Sequence, residues 1–316
     1  MTDLPRITAL MPVRNGMKFL GQCRATLDAS LSLGDELIVV NDNSVDGTLD
    51  FLNAWQAENS QVRVIQNRKS GLISSLRLGV DESNNNWIAR YDVDDQYETN
   101  RLEIQRRAIS SETGAIFSDY KFFSDTKMDL GSLPSPVESH ATSISLINGN
   151  RTPHPSVLFS KPVYYESGGY RDSDFLVEDL SLWLRMSRLS KLISVPKVLL
   201  KYRMHSQSIT SSNQQEMVLR KNSLLNEIGV SKVDIEFSID NFNTILESYL
   251  STGDVSKRQA CFVYDVLSLV KNRGNTSQIA PKKYLELTKA LFRPEIASAI
   301  YGLRKDQKRR QLLRNS

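Results

Sequence analysis

Three carboxylates crowd one short stretch, Ala89-Arg90-Tyr91-Asp92-Val93-Asp94-Asp95. The residues just before them read as the end of a buried strand. Alternation along an extended chain sends Asp92 and Asp94 to one side, while Asp95 begins a turn. Carboxylates held this close repel one another unless a cation is bound. Hard divalent ions such as Mg²⁺ and Mn²⁺ take oxygen ligands and bridge to substrate phosphates. The residue types therefore suit metal-assisted phosphate chemistry. A solvated acidic turn or the start of a helix fits the same letters.

The elements that must position this turn follow from periodicity. Ile7 to Val13, Glu36 to Val40, Val62 to Ile65 and Trp87 to Tyr91 read as strands. Between them Leu20, Cys23 and Leu27, then Leu49, Leu52 and Trp55, then Leu72, Leu76 and Val80 recur at helical spacing. Strands alternating with helices predict βαβ units, a mostly parallel central sheet and helices on both faces. Ligands of such sheets bind at the carboxyl ends of the strands. That rule selects Pro12 to Gly16, Asn41 to Gly47 and Asp92 to Asp95. A helix near Arg101 to Ile109 and a strand at Ala115 to Phe117 follow. Residues 118–149 read as a loop over the sheet, with order returning at His154 to Phe159. Glu178 to Leu189 reads as a helix and Val198 to Tyr202 as a strand.

Beyond about Gln214 the strand-to-polar-turn pattern stops. Val218, Leu224 and Leu225, then Phe242, Ile245 and Tyr249, then Val263, Val266 and Val270 suggest helices. The expected organisation is a catalytic unit over 1–213 and a helical C-terminal region over 214–316. The chain has 316 residues, 24% of them charged, with a formal net charge of +4. That composition excludes wholesale disorder. No apolar run reaches the length of a membrane-spanning helix, and no signal peptide is expected. Cys23 and Cys261 stand far apart, without metal spacing, and read as reduced thiols in the cytoplasm. The end, LRKDQKRRQLLRNS, is strongly basic. It suits either a solvated terminus or contact with an anionic membrane surface.

The motifs together resemble the inverting glycosyltransferases of family 2, whose fold is termed GT-A, and in particular the bacterial enzymes that build O-antigen or capsule. The resemblance spans roughly residues 5–210 and keeps the family's order. Met11-Pro12-Val13-Arg14-Asn15-Gly16 resembles the opening turn at the nucleotide, with Arg14 where Tyr is common. Val39 to Thr48 resembles "VDDGSxDGT". Asn41 replaces the first Asp, and Asp42 is left for the base and ribose. Gln66 to Leu72 resembles the stretch that passes the donor and includes Arg68 and Gly71. Ile88 to Asp95 resembles "IARMDADD". This implies Asp92 and Val93 beside the ribose and sugar, and Asp94 on the metal. His154-Pro155-Ser156 and Gly168-Gly169-Tyr170 resemble acceptor-side segments. Val177 to Arg185 resembles "EDYDLWLR", which implies Asp179 as catalytic base beside Glu178, with Ser181 in place of the second Asp. Tyr202 to Ile209 resembles "YRxHxxSxS", which implies His205 at the metal or diphosphate.

The resemblance implies Mn²⁺ or Mg²⁺ as cofactor, a nucleotide diphosphate sugar as donor, and a glycan or lipid-linked acceptor. Nucleic acid is not an expected partner. An inverting transfer needs a base, a stabilised diphosphate and substrates held in line. Away from the resemblance, Glu178 and Asp179 would simply favour a helix start. His205 would be a surface or packing residue. Tyr91 and Trp183 read as packing residues. A non-catalytic binding protein of the same fold is the main alternative. A sugar-phosphate nucleotidyltransferase would favour a Gly-rich, Lys-bearing first turn. An oxidoreductase would need a G-x-G-x-x-G that does not follow the first strand.

Overall fold

The computed structural model describes residues 4–137, 139, 142, 145, 146, 151–205, 212–228, 258, 261 and 265. Three βα repeats and a fourth strand open the fold. They are β1 (Ile7–Val13), α1 (Met17–Ser30), β2 (Glu36–Asn41), α2 (Thr48–Glu58), β3 (Val62–Gln66), α3 (Leu72–Asp81) and β4 (Trp87–Arg90). Strands β1 and β2 are buried along their whole length, as a strand covered on both faces must be. Buried Thr8 on β1 donates its hydroxyl to Glu36 Oε1 on β2 at 2.7 Å.

After β4 come β5 (Gln96–Tyr97), α4 (Arg101–Arg106), β6 (Thr113–Phe123), β7 (Ser132–Leu133), a 3₁₀ turn at His154–Ser156 and β8 (Leu158–Ser160). Then follow α5 (Lys161–Glu166), α6 (Glu178–Met186), β9 (Lys191–Arg203) and α7 (Gln214–Ile228). The strand order is β3-β2-β1-β4-β8-β6-β9-β5, with β7 on β6. Pairing is parallel from β3 to β4 and again between β6 and β9. It is antiparallel on both sides of β8 and between β5 and β9. The parallel sheet expected from the sequence thus holds for the first four strands, and the second half is mixed.

Alternation splits the core between the two faces. Leu10, Ile38 and Ile88 pack with Leu76, Val80 and Trp183 on one face. Ala9, Val39 and Ala89 pack with Leu20, Leu27 and Trp55 on the other. Tyr91 and Trp183 are fully buried, so both are packing residues.

Strands β6 and β9 are longer than their apolar runs suggest. Strand β6 continues through Ser118, Asp119 and Lys121 into the stretch expected to be loop. Its partner β9 starts at Lys191 and passes Pro196 and Lys197. The ladder jumps from Ser118↔Val195 to Asp119↔Val198, so Pro196 and Lys197 bulge out, exposed. A bulge is where a strand tolerates a proline with no N–H to give. Polar residues hid this pair from a hydrophobicity pattern, yet main-chain bonding carries it to Arg203.

Helix α7 begins where the sequence changes character, and its Leu224 and Leu225 join the core with α6. Arg151 pairs with Asp265 at 2.5 Å, and Arg258 with Asp119 at 2.7 Å. The expected helices around Phe242 and Val263 lie outside the described residues, as does the basic tail. Among the described residues no helix is long and apolar enough to cross a membrane.

Helix α3 lies so close on β1 that a Cβ at Gly79 would meet Leu10 Cδ1 at 2.0 Å. Gly79→Ala should therefore destabilise the fold by about 1–3 kcal/mol. Gly21→Ala on α1, where a Cβ meets nothing within 4 Å, should be neutral or stabilising by up to about 1 kcal/mol. Urea unfolding of the two variants checks the contrast.

Candidate active site

The ends of β1 to β4 form one rim. Val13 lies opposite Asn41 in register, and Asp42 N–H donates to Val13 O at 2.8 Å. The first two turns are stitched by side chains. Asn15 N–H donates to Ser44 Oγ, Val45 N–H to Asn15 Oδ1, and Gly16 N–H to Thr48 Oγ1, each at 2.9 Å. Pro12 and Val13 are buried beneath this rim, and Arg14 is exposed on it. Gly16 packs against Val93, whose methyls would sit 3.1 and 3.2 Å from any added Cβ. The first turn is thereby pressed against the acidic one.

Asp42 is buried, and its carboxylate accepts Gly71 N–H at 3.0 Å and Asn67 Nδ2 at 3.0 Å. Its visible work is to hold the Asn67–Gly71 turn against the rim. A carboxylate has further lone pairs to offer a ligand. Arg68, on the same turn, is exposed.

Each carboxylate of the acidic turn has a separate solution to its charge. Asp92 forms an ion pair with Arg90, a guanidinium 4% exposed. Asp94 Oδ2 lies 2.8 Å from His205 Nε2. Burial would raise the Asp94 carboxyl, but the His205 hydrogen bond and charge outweigh it and hold it below its ordinary value. Asp95 is buried deepest. Burial, then the charges of Asp94 and Asp92, push it well above the usual carboxylate range. Its Oδ1 accepts Arg203 N–H at 2.7 Å.

Strand β9 delivers both partners of Asp94. Arg203 Nε donates to Asp94 O at 2.6 Å, and two residues on, His205 meets the Asp94 carboxylate. Arg203 is itself held between aromatic rings, 4.4 Å from Phe123 and 5.0 Å from Phe19. Beneath the turn, Tyr97 Oη accepts Asp92 N–H at 2.7 Å, and Arg101 stacks 4.3 Å over Tyr91.

Among the described residues no three His, Cys, Asp or Glu side chains form a complete metal cage. Asp94 and His205 do present one carboxylate and one imidazole at contact distance. Mg²⁺ and Mn²⁺ sites often use few protein ligands and complete their shell with substrate phosphates and water. The donor set fits a metal shared with a diphosphate.

Arg90 also acts beyond the acidic turn. Its charge acts on His154, Tyr170 and Glu178. His154 is buried, with Nε2 2.7 Å from Tyr170 Oη. Burial first, then Arg90, depress its pKa well below the ordinary value, so it stays neutral. Glu178 is buried at the start of α6, and burial plus the neighbouring Asp179 charge raise it to about 7. Asp179 is half-buried and accepts Leu180 N–H at 2.6 Å. Ser181, which stands in for an acidic residue, donates its hydroxyl to Asp174 Oδ2 at 2.6 Å. A carboxylate from the preceding turn thus reaches that position.

Residues 8–141 match the glycosyl transferase family 2 profile. This chain carries a family 2 glycosyltransferase domain. An uncharacterized glycosyltransferase of Haemophilus influenzae is 23% identical over 79% of this chain and 82% of its own length. The UDP-Gal:alpha-D-GlcNAc-diphosphoundecaprenol beta-1,3-galactosyltransferase of Escherichia coli is 25% identical over 58% of this chain and 68% of its own. The fold is similar to that of Staphylococcus aureus TarS 1-349 in complex with UDP-GlcNAc. The TM-score is 0.55 at 13% identity, over 98% of this chain and 91% of that one. It is also similar to the mannosyltransferase PcManGT of Pyrobaculum calidifontis in complex with GDP-Man and Mn²⁺. There the TM-score is 0.55 at 14% identity, over 99% and 88% of the two chains. The GT-A architecture expected from the motifs is the one observed. The domain's activity is glycosyl transfer from a nucleotide sugar, so the chain is a transferase.

The geometry brings Asp94 to His205 and Arg90 to Asp92, and the Arg90 charge is also felt at Glu178. Sequence reasoning had not assigned roles to Arg90, Arg203 or Tyr170. A charged residue inside an apolar strand, directly before the carboxylates, was the available signal for Arg90. Arg203 is the arginine of the Tyr202-to-Ile209 motif, but its role depends on β9 reaching β4's far end.

Glu178 holds its proton in the folded chain up to about pH 7, against an ordinary value of 4.5. Between those values folding takes up a proton, so its contribution to stability falls as pH rises. Glu178→Gln should match the wild type near pH 4.5 and gain stability over it up to pH 7, with a plateau above. Thermal melts of both proteins across that range test the sign.

Proposed function

We propose that this chain transfers a sugar, with inversion, from a nucleotide diphosphate sugar to a hydroxyl of a glycan or lipid-linked acceptor in bacterial surface polysaccharide synthesis. The observation that carries the reading is the buried Arg90. It joins a diphosphate-side group, Asp92 beside Asp94 and His205, to a base-side group, Glu178 and Asp179.

In this reading the rim of Pro12, Val13, Arg14, Asp42, Gly71 and Val93 receives the nucleotide, and Arg68 adds positive charge near the phosphates. Asp94 and His205 would hold Mn²⁺ or Mg²⁺, which supplies positive charge for the diphosphate. Asp179 accepts the proton of the acceptor hydroxyl. The acceptor oxygen forms its bond to the anomeric carbon on the face opposite the diphosphate. The bond from that carbon to the diphosphate breaks, and its electron pair leaves on the phosphate oxygen. Glu178, protonated below about pH 7, keeps the second negative charge away from Asp179 until that pH. One carboxylate of the pair then serves as base while the other stays neutral.

The names of the similar proteins support the substrate classes. The Escherichia coli relative acts on a diphosphoundecaprenol-linked sugar, and the two solved structures contain UDP-GlcNAc and GDP-Man. Mn²⁺ accompanies GDP-Man in one of them. A lipid-linked acceptor would bring the chain to the inner face of the plasma membrane from the cytoplasm, with the basic end as the contact.

Asp94→Asn should fold normally and lose transfer, and EDTA should abolish transfer by the wild type. Full activity in both would remove the metal from the mechanism. Asp179→Asn should lower kcat by roughly 10²–10⁴ with donor affinity little changed. Calorimetric titration of the accepted nucleotide sugar into that variant separates a base from a binding residue.

A further inference from the structure

A second polar cavity lies on the other flank of α6. It has a volume of about 540 Å³, within the range of small-ligand sites. Four guanidiniums line it, Arg171, Arg185, Arg188 and Arg220, against two carboxylates, Asp174 and Glu227. One wall is formed by Ser181 and Arg185 of α6 with Val177 and Arg188 from just before and just after the helix. The opposite wall is a single face of α7, formed by Arg220, Ser223, Leu224 and Glu227.

The lining carries more positive than negative charge, although Asp174 pairs with Arg185 at 3.6 Å and Glu216 with Arg220 at 2.9 Å. Arg171 and Arg185 converge on Gly168, with Arg171 Nη2 2.9 Å and Arg185 Nη1 3.6 Å from its Cβ position. Burial and the Arg171 charge lower the pKa of Arg185. Arg185 spends its two Nη groups on Ser167 O and Gly169 O, and its Nε is buried with no partner. The backbone carbonyl of Arg171 accepts Asp174 N–H at 3.0 Å, and its side chain makes no hydrogen bond or ion pair among the described residues. Two guanidiniums drawn together at a concave surface are the complement of a multiply charged anion. Guanidinium forks match phosphate oxygens.

We propose that this cavity binds a phosphate or diphosphate group carried by the acceptor, with α7 as its outer wall. The acceptor assignment rests on the reading of Asp179 as base. Asp179 opens the helix whose later turns line the cavity, and Arg185 lies six residues, about 9 Å, further along the axis. An acceptor sugar near the helix start would then have its phosphate held by the same helix. The arginines select acceptors that carry a charged phosphate and disfavour neutral sugars. The phosphate can belong to a free sugar phosphate or diphosphate, or to a lipid-linked one. It also assigns a role to the start of the C-terminal region.

The test uses the full chain and inorganic pyrophosphate as probe, followed by calorimetry, with UDP titrated in parallel. Arg171→Gln and Arg188→Gln are on the surface and should fold as the wild type. Each should weaken pyrophosphate binding about tenfold while UDP binding is unchanged. Arg220→Gln should weaken it too, which identifies α7 as part of the site. Equal pyrophosphate affinity in wild type and variants overturns the proposal. Loss of UDP affinity in the same variants also overturns it, because the arginines would then belong to the donor site. If the wild type fails to bind UDP yet shows the arginine-dependent pyrophosphate site, the donor reading falls and the phosphate cavity stands. Co-sedimentation with phosphatidylglycerol and phosphatidylcholine vesicles separates the sources. Arginine-dependent binding to phosphatidylglycerol vesicles, with pyrophosphate affinity the same in variants and wild type, would make the ligand a bilayer headgroup and overturn the acceptor assignment.

Discussion

The mutual repulsion of Asp92, Asp94 and Asp95 is the constraint around which the molecule is organised. Three carboxylates at the end of a buried strand cannot all remain charged in a region of low dielectric without partners. The fold supplies a different answer for each. Asp92 takes a buried arginine from its own strand. Asp94 takes an imidazole from β9. Asp95 is pushed toward its protonated form and accepts one backbone N–H from Arg203. Only Asp94, partly exposed and held ionised, is left in a state suited to a cation.

These answers dictate the topology. Strand β4 must be central, because its end has to be reached from β1 on one side and from β8 and β9 on the other. Strand β9 must run the full length of β6, past a bulge at Pro196, so that Arg203 and His205 arrive at the turn. Had the β6–β9 ladder stopped at its apolar core, the acidic turn would have no partners from that side. The aromatic rings around Arg101 and Arg203 serve the same end, because they hold cations near the carboxylates without adding competing acceptors.

Arg90 places the acidic turn and the start of α6 in one electrostatic field. Its guanidinium pairs with Asp92, and its field reaches His154, Tyr170 and Glu178. Its Nε is buried with no hydrogen-bond partner. An unmet buried donor costs on the order of 1–3 kcal/mol. Such a cost is typical of a site arranged for binding rather than for stability. The raised Glu178 shows the same preference, since a charged residue is kept where burial disfavours its charge.

Local sequence pattern accounts for the first half of the fold and for the family resemblance. Its apolar strands and helical spacings are local properties, and the DxDD turn, the Glu178-Asp179 pair and the Tyr202-to-His205 segment are contiguous motifs. The contact between Asp94 and His205 followed from those motifs only by family resemblance, because 111 residues separate the two positions. Tertiary structure alone decided the length of β6 and β9, since their pairing rests on main-chain bonds that carry no side-chain signature. It also decided the roles of Arg90 and Arg203. A lone arginine has no periodicity, and its meaning depends on which charges the fold brings against it. The change of Ser181 from the family's acidic residue reads in sequence as a lost carboxylate. In space the Ser181 hydroxyl donates to Asp174 Oδ2, because a turn four residues upstream folds back over the start of α6.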